Sequence, residues 1–503
     1  MDQGQVLNKG GIQLHIEMIK KANHYIRDQK ENVNQQYRNH YHLMGETGWI
    51  NDPNGFVYYQ GEYHLFYQYY PYDSVWGPMH WGHAKSKDLV HWEPLPVALA
   101  PSEQYDKNGC FSGSAIVKDE KLYLMYTGHV EEGDFRREVQ CIAVSTDGIH
   151  FEKHQNNPVI AEEHIAGIAQ VDEFRDPKIF SHDDTYYSVV VAQTPDKRGQ
   201  VLLFKSENLL QWDFVSVLLE GKPHQGVMWE CPDFFHLDGK DVLILSPIQM
   251  EANGHEYRNT SSTIAFIGKM DWTTGQLSVE NEHEIDGGLD FYAPQTCMGP
   301  NGERMMVAWM QMWQRDMPTH ILNHSWAGSM TLPRELTILE NRLVQRPPQA
   351  IYANILEKKV LTNHSLKQPL ILRNQVTNHQ YLKFVFNQTQ TKEILIDYPK
   401  GEKERLSIRY LKETGELTLS RRFMGDPING IEKPHLDERT IICDNQQEEF
   451  VLEIFRDTSS IELFVNNGHT MTFTFYEKEL CRDLVVNATG ECSLKYLEIS
   501  NIE

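Results

Sequence analysis

Five times in this 503-residue chain, about every sixty residues, a polar segment leads into an apolar run, a tight turn and a second run rich in aromatic residues. The leading segments are Asn51-Asp52-Pro53, Phe111-Ser112-Gly113-Ser114, Arg175-Asp176-Pro177, Glu230-Cys231-Pro232 and Tyr292-Ala293-Pro294-Gln295. The first is followed by Phe56-Val57-Tyr58-Tyr59, the turn Gln60-Gly61-Glu62 and Tyr63-His64-Leu65-Phe66-Tyr67, a hairpin pattern. Alone, Asn-Asp-Pro-Asn-Gly would be an ordinary turn; its fivefold echo makes it more.

Three units run on into a second echo, around Ser86-Lys87-Asp88, Ser145-Thr146-Asp147 and Ser206-Glu207-Asn208. Four strands per unit, five units, predicts an all-β, five-bladed β-propeller, with the closing of the last blade between Trp326 and Leu336. In such a ring the innermost strands line one central channel, so the five polar segments converge although they are distant in sequence.

Three of those segments carry a carboxylate: Asp52, Asp176 and Glu230, read as matching places in repeats one, three and four. Cleaving a glycosidic bond takes one carboxyl group to protonate the leaving oxygen and another to attack the anomeric carbon or activate water; a third can hold sugar hydroxyls. Crowding of like charge is expected to keep Glu230 protonated as the acid while Asp52 stays ionised, with Arg175 holding Asp176 charged. Trp49, Trp76, Phe111, Trp229, Tyr292 and Trp313 are candidate faces for a sugar ring, with Trp76, Phe111 and Trp313 foremost by position.

The flanks read differently. Leu14, Ile16, Met18, Ile19, Ala22 and Ile26 among charged residues predict an amphipathic helix within an extension spanning 1–38, capping the propeller at 39–345. Beyond a linker at 346–358 that holds Pro347-Pro348, short alternating strands over 359–503 predict a C-terminal β-sandwich, whose work is expected to be packing or self-association as a homo-oligomer.

The net charge of −23 argues against nucleic acid or an anionic membrane as partner. With no basic, apolar leader at the N-terminus and no membrane-length run, the reading is a soluble, cytoplasmic protein. Seven scattered cysteines without a C-x-x-C pair signal neither a disulfide framework nor zinc. His42, His64, His80, His83 and His91 lack the helical i, i+4 spacing of zinc hydrolases, and no glycine run has nucleotide-binding spacing, so no metal or cofactor is expected.

The blocks Trp49-Ile50-Asn51-Asp52-Pro53-Asn54-Gly55, Phe174-Arg175-Asp176-Pro177 and Trp229-Glu230-Cys231-Pro232 resemble the signatures of glycoside hydrolase family 32, the invertase and fructan hydrolase family. Phe111-Ser112-Gly113-Ser114, Phe291-Tyr292-Ala293-Pro294-Gln295 and Met330 to Leu336 extend the likeness across roughly residues 40 to 345. The resemblance implies a five-bladed propeller with a β-sandwich that hydrolyses β-D-fructofuranosides with retention. It places the nucleophile at Asp52, the acid/base at Glu230 and the transition-state-stabilising aspartate at Asp176, and substrate-binding residues at Asn51, Gln68, Trp76, Phe111, Ser112, Arg175, Tyr292 and Trp313.

Within the family, Asp106 to Ser114 and Tyr257-Arg258-Asn259 resemble bacterial sucrose-6-phosphate hydrolases, which implies sucrose 6-phosphate or sucrose as substrate. Candidate phosphate holders are Arg136, Arg137, Lys197, Arg198, Arg258 and Arg315, all in expected inter-strand loops. The alternatives are a fructan or fructooligosaccharide hydrolase, a fructosyltransferase, and a non-enzymatic carbohydrate-binding propeller.

Overall fold

The computed structural model describes residues 3–400, 403–432, 436–466 and 468–503. Its first body is a ring of five four-stranded antiparallel blades. The innermost strands are Gly48–Tyr59, Gly109–Lys118, Phe174–His182, Met228–Leu237 and Tyr292–Met298. Within each of the first four blades the strands follow in chain order. Ala84, Cys110, Val190, Leu243 and Met306 are among the fully buried residues that fill the gaps between neighbouring blades, so each gap has its own apolar cluster.

The ring closes by a device the sequence did not display. In the fifth blade the second strand, Arg304–Trp309, and the third, Arg334–Leu339, are separated by a long excursion. That excursion lays Trp326–Ala327 parallel to Gly48–Trp49, adding a fifth strand to the first blade. The outermost strand of the fifth blade is Arg342–Arg346. The repeated Ser-x-Asp/Asn echo is a turn: Ser86, Ser145 and Ser206 each accept at Oγ from the amide three residues on, where Leu89, Gly148 and Leu209 take positive φ.

The N-terminal helix, Gln3–Gln29, stops short of the helical signal expected to about Arg38. Ala22 and Ile26 pack into the gap between blades five and one, and the Val97 amide on the outer strand of blade one donates to Asn23 Oδ1 at 2.9 Å, so the helix covers an otherwise open sheet edge. Leu14 and Ile16 stay exposed. No apolar period continues past Ile26; residues 33–42 instead run between the two bodies, where Tyr37 donates to Asp426 and the His40 and Tyr41 amides donate to Asp457. No helix among the described residues is long and apolar enough to cross a membrane.

After a short helix, Gln349–Ala353, the chain forms one ten-stranded sheet that folds over itself as a sandwich. Segments expected as separate short strands, such as Leu395 to Tyr398, belong to a 21-residue strand, Gln380–Lys400. Its first half pairs with Glu449–Arg456 and its second with Glu404–Leu411, and the register slips between Asn387 and Glu393 let it turn the corner.

Charged residues fasten the sandwich to the ring. Arg334 Nη1 lies 2.9 Å from Asp286 and its Nη2 2.5 Å from Glu462, all three fully buried at their side chains. His42 donates to Asp457 and Glu462, each at 2.8 Å. Burial alone would lower the His42 pKa, but the hydrogen bonds and charges of those two acids push it up to about 9.

Candidate active site

Every inner strand breaks its pairing at the segment singled out in sequence. The register slips between Ile50 and Pro53, Phe111 and Gly113, Glu230 and Asp233, Tyr292 and Gln295, and in blade three opposite Val189 and Val191. A bulge re-aims side chains, and here it turns them toward the channel mouth. Pro53, Pro177, Pro232 and Pro294 occur at four of these slips, where a missing amide costs no ladder bond. Blade two has Gly113 there, and a Cβ on it would run into Met125 O of the neighbouring strand.

The three acids do not occupy strictly matching places. Asp52 and Asp176 lie inside the unpaired stretches, whereas Glu230 is the last paired residue, the counterpart of Phe111, Arg175 and Tyr292. The residue aligned with the aspartates in blade four is Cys231, whose amide donates to Asp176 Oδ2 at 2.9 Å and whose thiol lies 3.4 Å from Asp52 Oδ2. Asp176 and Cys231 both have positive φ, at 61° and 47°, a strain that persists where surrounding structure enforces it.

A cavity of about 360 Å³ collects Asp52, Asp176 and Glu230 with Asn51, Gln68, Trp76, Phe111, Ser112, Arg175 and Trp313. Ser112 Oγ donates to Asp52 Oδ2 at 2.7 Å, while Asp52 Oδ1, buried, has no hydrogen-bond partner among the described residues. Trp49 Nε1 donates to Asn51 Oδ1 at 2.8 Å and so fixes which way that amide faces. Gln68 is anchored through Nε2 to Cys110 O. Trp76 meets Phe111 edge-on, and Phe111 stacks on His129 at 4.0 Å between centroids.

Three expected sugar faces belong elsewhere, the first of them Trp49, which is buried against Trp309 and Trp313. Trp229 is fully buried, lying over Gly199 between blades three and four. Tyr292 is also fully buried, beneath Glu230, and its hydroxyl lies 2.5 Å from Glu230 Oε2 and 3.1 Å from Ser246 O. That hydroxyl has one hydrogen and two acceptors. It can give the hydrogen to an ionised Glu230, or give it to Ser246 O while accepting from a protonated Glu230, so it accommodates either state of that carboxyl group.

Arg175 also departs from expectation. Its Nη2 donates to Glu230 Oε1 at 2.9 Å and its Nη1 to Glu138 and Glu173, not to Asp176. Burial pushes the Asp176 pKa up to about 8, reinforced by the charges of Glu230 and Asp52 and only partly opposed by Arg175. Burial, with Glu230 beside it, raises Asp52 as well. Glu138, fully buried and missed in the sequence, is held down to about 2: burial opposes its charge, but Arg175, His129 and Arg136 outweigh it. Its signal was there: Glu138 and Gln140, two apart, give one face of a strand two polar groups where its neighbours Val139 and Cys141 are apolar.

Of the six cations considered for a phosphate, only Arg136 lines the cavity. Arg136 and Arg137 lie on a strand, Phe135–Ser145, not in a loop. Arg315 is buried between Asp290 and Glu432 at the seam with the sandwich. A larger cavity of about 630 Å³ opens at that seam, lined by His283, Arg342 and His469 among others; none of the three bulge acids reaches it.

Residues 42–347 match the glycosyl hydrolases family 32 N-terminal domain, and residues 345–501 the family's C-terminal domain. A sucrose-6-phosphate hydrolase of Zymomonas mobilis subsp. mobilis is 39% identical over 452 residues, covering 86% of this chain and 84% of that protein. The structure of sucrose-6-phosphate hydrolase from Lactobacillus gasseri superposes with a TM-score of 0.86 at 28% identity, over 96% of each chain. A GH32 β-fructofuranosidase of Bombyx mori gives 0.82 at 34% identity, over 96% of this chain and 98% of its own.

Proposed function

Because this chain belongs to glycosyl hydrolases family 32 and is a β-fructofuranosidase, we propose that it cleaves sucrose 6-phosphate and sucrose through a covalent fructosyl ester on Asp52. The Asp52 carboxylate attacks the anomeric carbon while Glu230 gives its proton to the glycosidic oxygen, and glucose 6-phosphate or glucose departs. Water then attacks the same carbon, Glu230 takes the water's proton, and the bond to Asp52 breaks; two inversions give net retention. Asp176 binds fructosyl hydroxyls, and its hydrogen bonds to them strengthen as positive charge grows on the ring.

The observation that carries this reading is the convergence of three acids from three blades on one cavity. Tyr292 acts behind Glu230 and not against the sugar. Asn51, Gln68, Trp76, Phe111, Ser112, Arg175 and Trp313 hold the fructosyl ring. The fructan hydrolase and fructosyltransferase readings are not favoured, since the Zymomonas, Lactobacillus and Bombyx proteins are named for sucrose 6-phosphate or as β-fructofuranosidases. A phosphorylated disaccharide arises on the inner side of a phosphorylating uptake system, which supports a cytoplasmic location.

Rapid quenching of Glu230→Gln with fructosyl fluoride, whose leaving group needs no proton from Glu230, followed by intact-mass measurement, tests the reading. A fructosyl adduct absent from Asp52→Ala is expected. An adduct that persists in Asp52→Ala would move the nucleophile elsewhere.

A further inference from the structure

We propose that Arg136 is the residue that receives the phosphate of sucrose 6-phosphate and so sets the preference for that substrate over sucrose; this rests on the substrate reading above. Arg136 and Arg137 are consecutive on one strand, so their side chains leave opposite faces. Arg137 pairs with Glu162, while Arg136 turns into the cavity with its side chain about one-third exposed, 32%.

Its surroundings place it on the side of the departing group. Arg136 shares Glu138 and Glu173 with Arg175, and Arg175 donates to Glu230, the acid that serves the leaving oxygen. A phosphate on the departing glucose is therefore presented toward Arg136. The guanidinium has five N–H groups. Nε and one N–H of Nη2 go to Glu138 and one of Nη1 goes to Glu173, which leaves two, one on each terminal nitrogen, uncommitted among the described residues. Those two N–H groups are available to phosphate oxygens.

The carboxylates beside it hold Arg136 in place and also tune the choice. Glu131 lines the same cavity with its side chain 57% exposed, and it faces a dianion with like charge. The rim thus has one cation to attract the phosphate and one exposed acid to oppose it. Arg198 and Arg258 are tied to Asp196 and to Gly254 O outside this cavity, and neither competes for the role.

The test is the ratio of kcat/KM on sucrose 6-phosphate to kcat/KM on sucrose, measured for the wild type, Arg136→Gln, Arg136→Lys and Glu131→Gln. Sucrose serves as the internal control for any damage to the Glu138 and Arg175 network. The wild type is expected to favour the phosphate ester. Arg136→Gln should lower the ratio roughly ten- to a hundredfold, as for loss of hydrogen bonds to a charged group. Arg136→Lys should keep part of it, and Glu131→Gln should raise it a few-fold. Inhibition by glucose 6-phosphate should weaken in parallel in Arg136→Gln while inhibition by glucose does not. A wild type that favours the phosphate ester and an Arg136→Gln variant with the same ratio would overturn the assignment and leave the substrate reading standing. A wild-type ratio near one would overturn the assignment while leaving cleavage of both sugars standing, and a wild type inert on both sugars would overturn the substrate reading.

Discussion

In the pocket, Arg175 gives its guanidinium to Glu230, Glu138 and Glu173, and neither Asp52 nor Asp176 is paired with a cation among the described residues. At the seam between the two bodies, Asp286, Asp457 and Glu462 are met by Arg334 and His42, with every carboxylate oxygen near a donor. Both groups are buried. The first is left short of cations, so Asp52 and Asp176 hold protons more tightly than usual. The second is compensated: burial disfavours charge on Asp457 and Glu462, yet His42 and Arg334 bring both below their usual range. On the proposed mechanism, the difference separates acids kept for proton and bond exchange from acids used to hold the molecule together.

The largest expected break in that contrast is kinetic. Asp52→Ala should lower kcat on sucrose by about 10⁴ or more, the scale seen when a nucleophile acting in concert is removed. Arg334→Gln should leave kcat of the folded enzyme within a few-fold of wild type. Steady-state assays on both variants check this, and a collapse of kcat in a fully folded Arg334→Gln would erase the division of labour.

Next comes stability. Removing one partner of a buried ion cluster costs about 3–5 kcal/mol, so urea unfolding of Arg334→Gln should show a loss of that order. Asp176→Asn should do the reverse, raising stability by about 1–2 kcal/mol, as relief of a strained catalytic site does, while kcat falls.

The two groups also separate by pH. Asp176 titrates near 8 in the fold and near 4 when unfolded, so the folded state binds the extra proton and its contribution falls as pH rises from about 4 through about 8. The gain from Asp176→Asn should therefore be absent below pH 4 and full above pH 8. His42 is raised to about 9, so its contribution is complete below about 6.5 and lost as pH climbs through 9. Melting temperature against pH in Asp176→Asn should keep only the second decline.

The smallest effect concerns one hydroxyl. Tyr292→Phe leaves Glu230 Oε2 and Ser246 O without their shared donor. It should lower kcat/KM about tenfold, the size of one net hydrogen bond, with little change in unfolding midpoint.

The ring of blades and the meeting of the three acids could be read in the chain because both follow from recurrence: a period of strands, and a polar interruption where each period begins. What escaped reading depends on contacts between distant residues. Trp229 adjoins Glu230 in sequence and Tyr292 opens the fifth polar segment, but which aromatic faces the channel is set by the bulge and the blade gap, and both rings are buried. Arg175 adjoins Asp176 yet pairs with Glu230, because consecutive strand residues diverge. Arg315 looked like a loop cation, but its partner Glu432 lies over a hundred residues on. Of the strand Gln380–Lys400 only Leu395 to Tyr398 was read as a strand, since a strand that turns a corner loses its alternation there.

Pairing of Trp326–Ala327 with Gly48–Trp49 has a consequence for how the enzyme is made. A chain leaving the ribosome has already released Asp52, Asp176 and Glu230 by the time blade four is out, yet Trp49 still lacks its neighbour. The clasp arrives only when about two-thirds of the 503 residues have been translated. Until then the first blade is an open edge inviting other strands, so arrest of synthesis between blades four and five should yield a sticky, inactive fragment, and the same arrest placed after Arg346, where the fifth blade is complete, a ring able to close.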